Sequence, residues 1–562
     1  MTDPRGRLPL LAAAATAVAL AAADTYVVVL ALTDMMAGVG LGIESLQRAT
    51  PIISGFLLGY IAVLPLIGRL SDLLDRRRIL LGCLLVFVVG SAVTALAVEL
   101  PVLVGGRVLQ GIGGGGLVPA TLALVADLWP ADRRGTPLGV VGAVQELGSV
   151  LGPVLGAVVL AWSGWRAIFW VNVAAGLLLY AVIHLLGSRA PATGPGGIRA
   201  RGERARSGRR GSAVLAWALA VLAVVAWGLT LSAPESLVTD VTLGAPFVPF
   251  AGTSRVLTPV GMVAIALLVG LTVVAAPRWW AVLRRSDPVG ALLVAVALGS
   301  VVLTFASSDP EREVVGPLGY ALLPVALVAL LVLWWWLGRA SAPLIPRGVL
   351  HARGGRALVV SLLVGAALVA VVVDVPLLAR LTQHYDATGA ALVLVRFLLA
   401  VPVGALAGGW ALRRLGDGAV AGVGLALAGL GMVAMSRWTL DSLAATTSTT
   451  VVLVVVGLGV GLAIAPVNNA ALADSPAGAH GIASSLVVVA RMVGMVVGLA
   501  LLTTLGLHRF YEAVRALPDP LDTAALVGAG VVQVQTVFLG GALAALVGAA
   551  VALTLGLRRP RV

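Results

Sequence analysis

GRLSDLLDRRR occupies residues 68–78 and lies between two long apolar segments. Its glycine permits a tight helix exit, and Asp72 can pair with a nearby arginine or cap a helix. The arginines that end the string are typical of the short basic loops on the cytoplasmic side of a membrane. A similar string, GGWALRRLGD at 408–417, follows another apolar segment late in the chain. The two loops therefore predict a membrane protein built from two related halves.

The composition excludes a soluble protein. Hydrophobic residues make up 60% of the 562 residues and charged residues only 11%, whereas soluble domains carry about 25% charged residues. The net charge of +13 comes from arginine, because the sequence contains no lysine. Arginines clustered in short loops indicate membrane topology and not nucleic-acid binding. A single cysteine, Cys83, and five scattered histidines predict no disulfide framework, metal site or cofactor.

A helix needs about 20 apolar residues to cross a bilayer, and sixteen segments come close to or meet that length. The predicted spans lie near 8–32, 51–69, 79–98, 102–126, 137–161, 166–187, 213–231, 259–277, 289–306, 319–338, 356–378, 391–411, 418–436, 450–470, 481–507 and 530–556. They form groups of six, four and six. We therefore expect an all-α polytopic membrane protein with two six-helix halves and four additional spans between them.

The predicted domain boundaries follow from this grouping. The units are an N-terminal half (1–187), an arginine-rich linker (188–212), an inserted helix pair (213–288), a linker helix pair (289–355) and a C-terminal half (356–562). The basic loops, the linker and the basic C-terminal tail are predicted to share the cytoplasmic side, and acidic residues collect in the opposite loops. Both chain termini are therefore expected in the cytoplasm.

Several ionisable residues lie inside the predicted spans, and two pairs of them occupy related positions in the two halves. Asp24 and Asp374 occupy similar depths in the first spans of the two halves, and Glu146 and Arg491 occupy similar positions in the fifth spans. A charged side chain at mid-membrane costs roughly 2.5–3.5 kcal/mol on insertion scales, so such residues usually face a cavity or a partner. We expect Asp24, Glu146 and Arg491 to line a central path and to act in coupling and gating.

Each of these assignments has a simpler alternative. Glu146 and Arg491 could form an ion pair that only fixes the register of two helices. Asp374 could lie at the outer membrane interface beside Pro376.

The loop at 68–78 resembles the signature loop of the major facilitator superfamily of transporters, roughly G-x-x-x-D-R-x-G-R-[KR]. The matching residues are Gly68, Asp72, Arg76, Arg77 and Arg78. Leu73 and Asp75 depart from the pattern, because arginine and glycine are usual there. The resemblance implies the fold of that superfamily, in which this loop latches the two halves together on the cytoplasmic side.

The string GRVLQGIGGGG (106–116) is similar to the superfamily's fourth-span motif R-x-x-Q-G at Arg107, Gln110 and Gly111. A cation inside a span needs a partner, although Arg107 could also extend to the interface. The same string contains G-x-G-x-x-G, but no strand precedes it, so it does not predict a dinucleotide site.

The string GSVLGPVLG (148–156) resembles the fifth-span motif G-x-x-x-G-P-x-x-G of the superfamily's proton-coupled exporters. The matching residues are Gly148, Gly152, Pro153 and Gly156. Small residues on one face bring two helices close together, and proline frees a backbone carbonyl and can bend the helix. The resemblance implies export in exchange for protons. The alternative is that these small residues only pack two helices together and do not indicate the direction of transport.

Further strings resemble one group within the superfamily. Segments 289–306 and 319–338 look like the linker helices of the fourteen-span drug exporters, which leaves 213–231 and 259–277 as an extra insertion. The strings DTYVVV, QELGSVLGP and HGIASSLVVVARMVGM are similar to those of mycobacterial triacylglyceride exporters, which work with a periplasmic lipid-carrying lipoprotein.

The resemblance implies a monomeric, proton-coupled exporter of lipid in a bacterial inner membrane. A proton–multidrug antiporter for amphiphilic compounds is the nearest alternative, and a non-transporting scaffold or sensor is a further one. Nothing in the sequence indicates an enzyme, since it shows no nucleophile–base pair, phosphate loop or metal cluster.

The last two spans continue beyond the membrane in the sequence pattern. HRFYEAVRAL (508–517) has apolar residues at helical spacing and no glycine or proline before PDP (518–520). A return helix from Asp522 to Leu557 is about 50 Å long at 1.5 Å per residue, which exceeds the ~30 Å hydrocarbon core. We expect an extended helical hairpin at about 508–530 in the periplasm. A short helix lying flat on the membrane is the alternative.

Overall fold

The computed structural model describes most of the chain. It covers residues 4–41, 46–130, 133–187, 206–234, 237, 244–250, 254–306, 317–346, 348–350, 353–383, 387–476, 478–519 and 522–557. Across these ranges the regular structure is helical, with two short 3₁₀ turns and no strand.

Within the described ranges, sixteen helices are long and apolar enough to cross a membrane. They are α1 (Pro4–Gly38), α2 (Leu46–Leu73), α3 (Arg76–Leu96), α4 (Leu100–Leu128), α5 (Gly135–Trp162), α6 (Arg166–Gly187), α7 (Arg206–Ser232), α8 (Pro259–Arg285), α9 (Pro288–Ala306), α10 (Pro317–Arg339), α11 (Arg353–Gln383), α12 (Ala387–Ala411), α13 (Asp417–Met435), α14 (Thr446–Ala473), α15 (His480–Arg515) and α16 (Thr523–Leu553).

Each predicted span coincides with one of these helices, so the predicted all-α fold class is confirmed and the chain is a multi-pass membrane protein. The helix ends differ from the predicted span ends by up to eight residues, because polar residues outside the apolar run still continue or cap a helix. Most of the arginine-rich linker, at 188–205, lies outside the described residues.

Side chains just before several helices explain where those helices begin. Asp75 accepts a hydrogen bond from the backbone amide of Arg78 at 3.0 Å and caps α3. Asp522 accepts from the amides of Ala524 and Ala525 and caps α16. Each cap satisfies an amide that has no partner inside its helix and is worth about 1 kcal/mol.

The two six-helix halves pack in the same way. In the first half α1 packs on α5, α2 and α3 pack on α4, and α3 packs on α6. In the second half α11 packs on α15, α12 and α13 pack on α14, and α13 packs on α16. The halves meet where α2 packs on α15 and where α5 packs on α12. The equivalent helices of each half therefore form equivalent contacts, and the space between the halves is bounded by those two helix pairs.

The four middle helices form two pairs. Helices α9 and α10 pack on each other, and α9 also packs on α2 and α15. Helices α7 and α8 pack mainly on each other and touch α2, α3 and α9 only weakly. Only 11% of the side chains in the spanning part of α8 are buried inside the bundle. This exposure suits an apolar helix surrounded by lipid.

One buried carboxylate fixes the start of α9. Asp287 accepts hydrogen bonds from the indole nitrogen of Trp336 at 2.8 Å and from the amide of Leu344 at 2.8 Å. It also accepts from the amide of Gly290 within α9. These three contacts tie α9, α10 and the segment after α10 into one unit.

The bundle has two ends, which we name by their contents. The basic end holds the connections at 74–75 and 412–416, and the hairpin end holds the connection between α15 and α16. Helix α15 has 36 residues and α16 has 31, or about 54 Å and about 46 Å at 1.5 Å per residue. Both exceed the ~30 Å hydrocarbon core.

The helical extension at 508–515 has the predicted amphipathic pattern. Phe510 and Val514 are half-buried, whereas Arg509, Glu512 and Arg515 are exposed. Glu512 pairs with Arg509 at 3.0 Å on the exposed side. The return helix ends at Leu553 and not at Leu557 as expected, because Thr554 closes its last turn.

Candidate transport path

At the basic end, Asp72 joins the two halves. The Asp72 carboxylate at the end of α2 accepts hydrogen bonds from the backbone amides of Gly481 at 2.7 Å and Ile482 at 3.0 Å, the first residues of α15. The free amides and the positive dipole of a helix N-terminus favour an anion in this place. Gly68 lies at the same crossing, where an added Cβ would clash with Ser485 and the Gly481 carbonyl. Only a residue without a side chain fits at this approach of α2 to α15.

The arginines after Asp72 bind within the first half. Arg76 pairs with Asp127 at the end of α4, with Nη1 and Oδ1 2.7 Å apart, and lies 3.9 Å from Asp72. Arg77 donates to the last carbonyls of α6, at Ile183 and His184. The Arg78 side chain is exposed. The basic loop therefore holds α2, α4 and α6 together and positions Asp72.

A second polar contact joins the halves at the same end. Arg134, before α5, donates to the Asn469 side chain at 2.7 Å, and Asn469 donates to Asp417 at 2.6 Å. Arg353 also approaches Asp417, at 3.4 Å. Burial lowers the pKa of the Arg134 guanidinium, and the Asp417 carboxylate opposes that shift. The sequence analysis missed this contact, although Asp417 ends the repeated loop string at 408–417.

Deeper in the bundle, a buried ion pair crosses between the halves. Nη1 of Arg491 on α15 lies 3.4 Å from Oε1 of Glu146 on α5. Both side chains are largely buried. The pair brings together residues 345 positions apart in the chain, and an ion pair was the alternative that the sequence analysis left open for them.

Asp24 lies in a separate cluster, and this corrects the expected grouping with Glu146 and Arg491. Its carboxylate pairs with Nη1 of Arg107 on α4 at 2.5 Å and accepts from Asn172 on α6 at 2.5 Å. Asp24 and Arg107 are each only 1% exposed. The reason is helix rotation, because α1 turns residue 24 towards α4 and α6 inside the first half.

The rest of that cluster satisfies the Arg107 side chain. Gln110 accepts from Arg107 at 2.9 Å and donates to Asp24 at 3.3 Å and to Ser91 at 2.8 Å. The guanidinium also lies 4.5 Å above the ring of Phe56. Arg107 therefore does not extend to the interface. Sequence reasoning missed Asn172, which has no motif around it.

Asp374 is buried without a partner on one oxygen. It is 3% exposed, and its Oδ2 atom has no hydrogen-bond partner among the described residues. It lies nine residues before the end of α11, which is equivalent to α1. The equivalent helices α1 and α11 thus differ. The Asp24 carboxylate of α1 is fully paired, whereas one oxygen of Asp374 on α11 has no partner among the described residues.

The small residues of the fifth span pack on α1. Added Cβ atoms at Gly148 and Gly152 would clash with the carbonyls of Ala19 and Ala23, and one at Gly156 would clash with Val27. Pro153 lies within the helix, which continues to Trp162. Gly111 similarly lies against the Phe56 carbonyl of α2. These glycines let neighbouring helices approach to backbone contact.

A small cavity lies between the halves. Residues of α4, α5, α11, α14 and α15 line it, and its polar groups include Gln145, Asn468 and Arg491. Its volume is about 20 Å³, which is enough for about one water, whereas sites for drug-sized ligands have about 300–1,000 Å³. This cavity is therefore too small for a lipid or a drug-sized substrate in this structure. In the described ranges no cluster of three or more His, Cys, Asp or Glu side chains is placed to hold a metal.

A family model and several relatives assign the chain to the same family. Residues 14–316 match the model of the Major Facilitator Superfamily. The chain is 37% identical to a triacylglyceride transporter of Mycobacteroides abscessus over 82% of its length. It is 36% identical to one of Mycolicibacterium smegmatis over 77% of its length and 35% identical to one of Mycobacterium tuberculosis over 78%.

These relatives are longer than the matched region. The match spans 76% of the M. abscessus protein, 69% of the M. tuberculosis protein and 62% of the M. smegmatis protein.

Solved structures support the fold. A human organic anion transporter covers 98% of this chain with a TM-score of 0.57 at 15% identity, and all of that chain is covered. A proton:xylose symporter covers 97% with a TM-score of 0.55 at 13% identity, and 95% of that chain is covered.

Proposed function

The chain belongs to the major facilitator superfamily of transporters, and on that premise we propose that it exports lipid, specifically triacylglyceride, from the inner membrane towards the periplasm, driven by proton entry. The substrate class is supported by the identity of 35–37% to transporters named for triacylglyceride. The proposed orientation has the basic end and both termini in the cytoplasm, because short arginine-rich loops favour that side.

The buried Glu146–Arg491 pair is the observation that carries the mechanism. It connects α5 of one half to α15 of the other at 3.4 Å, so it exists only while the halves are close at this depth. Protonation of Glu146 removes its negative charge and the attraction to Arg491. The halves can then separate and admit substrate. Loss of the proton to the other side restores the pair and closes the path.

The other buried carboxylates have different proposed roles. Asp24 is fully paired with Arg107 and Asn172, so it keeps α1, α4 and α6 in register and releases or takes a proton only when that cluster rearranges. Asp374 is buried, and one of its oxygens has no hydrogen-bond partner in the described part of the chain. An unpaired carboxylate inside a membrane span is costly. We therefore propose that Asp374 binds and carries a proton.

The contacts at the basic end close the cytoplasmic side in this proposal. Asp72 binds the N-terminus of α15, and Arg134 binds Asn469. Both sets must break before the path opens to the cytoplasmic leaflet. The small central cavity of about 20 Å³ then opens as the halves rotate apart. One chain encloses this path, which supports action as a monomer.

The extended hairpin supports a lipid over a soluble drug. The helical extension at 508–515 continues α15 beyond the length needed to cross a bilayer. Its half-buried apolar side, which includes Phe510 and Val514, offers a lipid tail a surface outside the membrane. A periplasmic lipid-carrying lipoprotein is the proposed acceptor at this end.

A reconstituted assay tests the function. Proteoliposomes that contain labelled triacylglyceride should lose it to an external lipid-binding acceptor when a proton gradient is applied, and Glu146→Gln should abolish this loss. The Arg414→Gln variant is a matched control, since Arg414 is exposed and outside the path. Gradient-driven movement of an amphiphilic dye with no movement of triacylglyceride would instead establish the multidrug antiporter, which the fifth-span motif also fits.

A further inference from the structure

A second cavity lies at the basic end, away from the central path. It has a volume of about 620 Å³ and lies between the first turns of α1, the end of α4, the start of α5 and the end of α12. This volume falls within the range of about 300–1,000 Å³ that holds drug-sized ligands. It is therefore large enough for part of an amphiphile and much larger than a bare inorganic anion needs.

The groove has a basic side and an apolar side. Arg133 and Arg413 supply two guanidinium groups, and none of the described residues that line the groove is acidic. Both arginines are exposed, so the groove opens to the surface. Leu8, Leu11 and Val140 lie deeper along α1 and α5 and form the apolar side. Cationic rims above apolar walls match a negatively charged headgroup on an acyl chain.

Two further side chains place this groove at the membrane interface. Trp129 follows the end of α4 and lines the groove, and tryptophan is enriched at the level of lipid headgroups. Thr136 lines the same groove and accepts a hydrogen bond from Nε of Arg413 at 3.2 Å. Because Thr136 belongs to the first half and Arg413 to the second, an occupant of the groove would touch both halves.

We propose that this groove binds one phospholipid with an anionic headgroup from the leaflet at the basic end. The phosphate lies between Arg133 and Arg413, and an acyl chain follows Leu11 and Val140. Since the ligand contacts both halves beside the Arg134–Asn469 contact, it stabilises the arrangement in which the basic ends are together. By linkage, closing the basic end tightens lipid binding by the same factor.

Native mass spectrometry of the delipidated full chain tests the binding. Titration with phosphatidylglycerol and with phosphatidylcholine of the same acyl chains should show one tighter site for phosphatidylglycerol. Arg133→Gln and Arg413→Gln should each weaken that site about fivefold, and the double variant about 30-fold, since each arginine near anionic lipid is worth about 1 kcal/mol. Arg414→Gln is the matched control and should bind normally, because Arg414 lies on the same loop but not in the groove.

The same preparation also tests whether the groove binds a lipid headgroup or free phosphate. Inorganic phosphate should give no rise in the unfolding midpoint, whereas phosphatidylglycerol should raise it, and Val140→Gln should reduce the lipid effect. An equal rise with phosphate would overturn the proposal of a lipid site. Equal binding of the two phospholipids by the unmodified chain would also overturn it.

The link to conformation is measured with spin labels at positions 78 and 415, which are exposed on opposite halves at the basic end. Phosphatidylglycerol should increase the population with the short distance, and the double arginine variant should lose this response. Each variant must first match the unmodified chain in size-exclusion profile and in unfolding midpoint in phosphatidylcholine. A distance distribution unaffected by phosphatidylglycerol would refute the proposed coupling.

Discussion

At the scale of single residues, the charges proposed for coupling fall into three environments. Glu146 and Arg491 pair across the halves, Asp24 pairs within one half, and Asp374 has one oxygen without a partner among the described residues. Buried pairs contribute little net stability, but removal of one partner leaves a buried charge and is strongly destabilising. The three environments therefore predict different results for isosteric substitutions.

Removal of one charge from the cross-half pair should cost more than removal of both. Glu146→Gln leaves Arg491 without its carboxylate and should destabilise the closed arrangement by about 3–5 kcal/mol. The double variant Glu146→Gln/Arg491→Gln should regain most of that stability but stay inactive in proton-driven export. Unfolding midpoints in detergent and export from proteoliposomes measure the two effects. Export by the double variant at the normal rate would refute a coupling role for the pair.

The two equivalent aspartates should separate stability from transport. Asp24→Asn should lower the unfolding midpoint, because Arg107 is 1% exposed and loses its counter-charge. Asp374→Asn loses no ion pair and should change the free energy of unfolding by less than about 1 kcal/mol, yet abolish proton-driven export. Equal destabilisation by both substitutions, with export preserved in Asp374→Asn, would contradict these assignments.

At the scale of helices, close approach depends on residues without side chains. Helix α5 lies against α1 through three glycines spaced four apart, and α2 crosses α15 at Gly68. Lengths matter equally, since α15 and α16 are longer than a bilayer requires. Substitutions at these positions test geometry and not charge.

Gly152→Ala should destabilise the bundle although alanine favours a helix. Its Cβ would clash with the Ala23 carbonyl of α1, so the helices must move apart and lose packing. The matched control is Gly82→Ala, because nothing lies within 4 Å of a Cβ there; that change should be neutral or raise stability by about 0.5–1 kcal/mol. Thermal unfolding of both variants measures the difference, and similar midpoints would argue against close packing of α1 on α5.

A shorter hairpin should impair lipid export without loss of fold. Deletion of seven residues from each of α15 and α16 beyond the membrane removes about two turns, or about 10 Å, and keeps the same faces together. Triacylglyceride export should fall while the unfolding midpoint stays within a few degrees. The control is the Arg509→Glu/Glu512→Arg exchange, which keeps the length and the exposed pair. Unchanged export after the deletion would remove the main structural argument for a lipid substrate.

At the scale of the whole molecule, separate polar contacts hold the halves together at the basic end. Asp72 binds the first amides of α15, Arg134 binds Asn469 on α14, and Arg413 donates to Thr136 at the start of α5. Separate contacts resist hinge opening better than one.

Loss of the Asp72 contact and the Arg134–Asn469 contact together should open the basic end more than the sum of the single losses. Asp72→Asn and Asn469→Ala should each raise the open population in spin-label distances between positions 78 and 415. The double variant should open further than additivity predicts, because in each single variant the other contact still resists opening. Arg414→Gln is again the control. Strictly additive shifts would show that the contacts act independently.

The local pattern of the sequence determined which segments are helices and how they repeat. Sixteen apolar runs became sixteen helices, because backbone hydrogen bonding in lipid has to be satisfied within each span. The same pattern correctly predicted that α15 continues to Arg515, because an amphipathic continuation without glycine or proline sustains a helix. The repeat also indicated that Glu146 and Arg491 lie at similar depths in the two halves, and the structure has them 3.4 Å apart.

Only the tertiary structure decided the partners of the remaining polar groups. Asp24 binds Arg107 and Asn172, which are 83 and 148 residues away in the chain, and Arg134 binds Asn469 across 335 residues. These contacts depend on the rotation of each helix about its axis. Helices such as α1 and α14 are apolar on nearly every face, so hydropathy leaves that rotation undetermined. It is fixed instead by close packing of small residues and by the cost of leaving any charge unpaired among the helices.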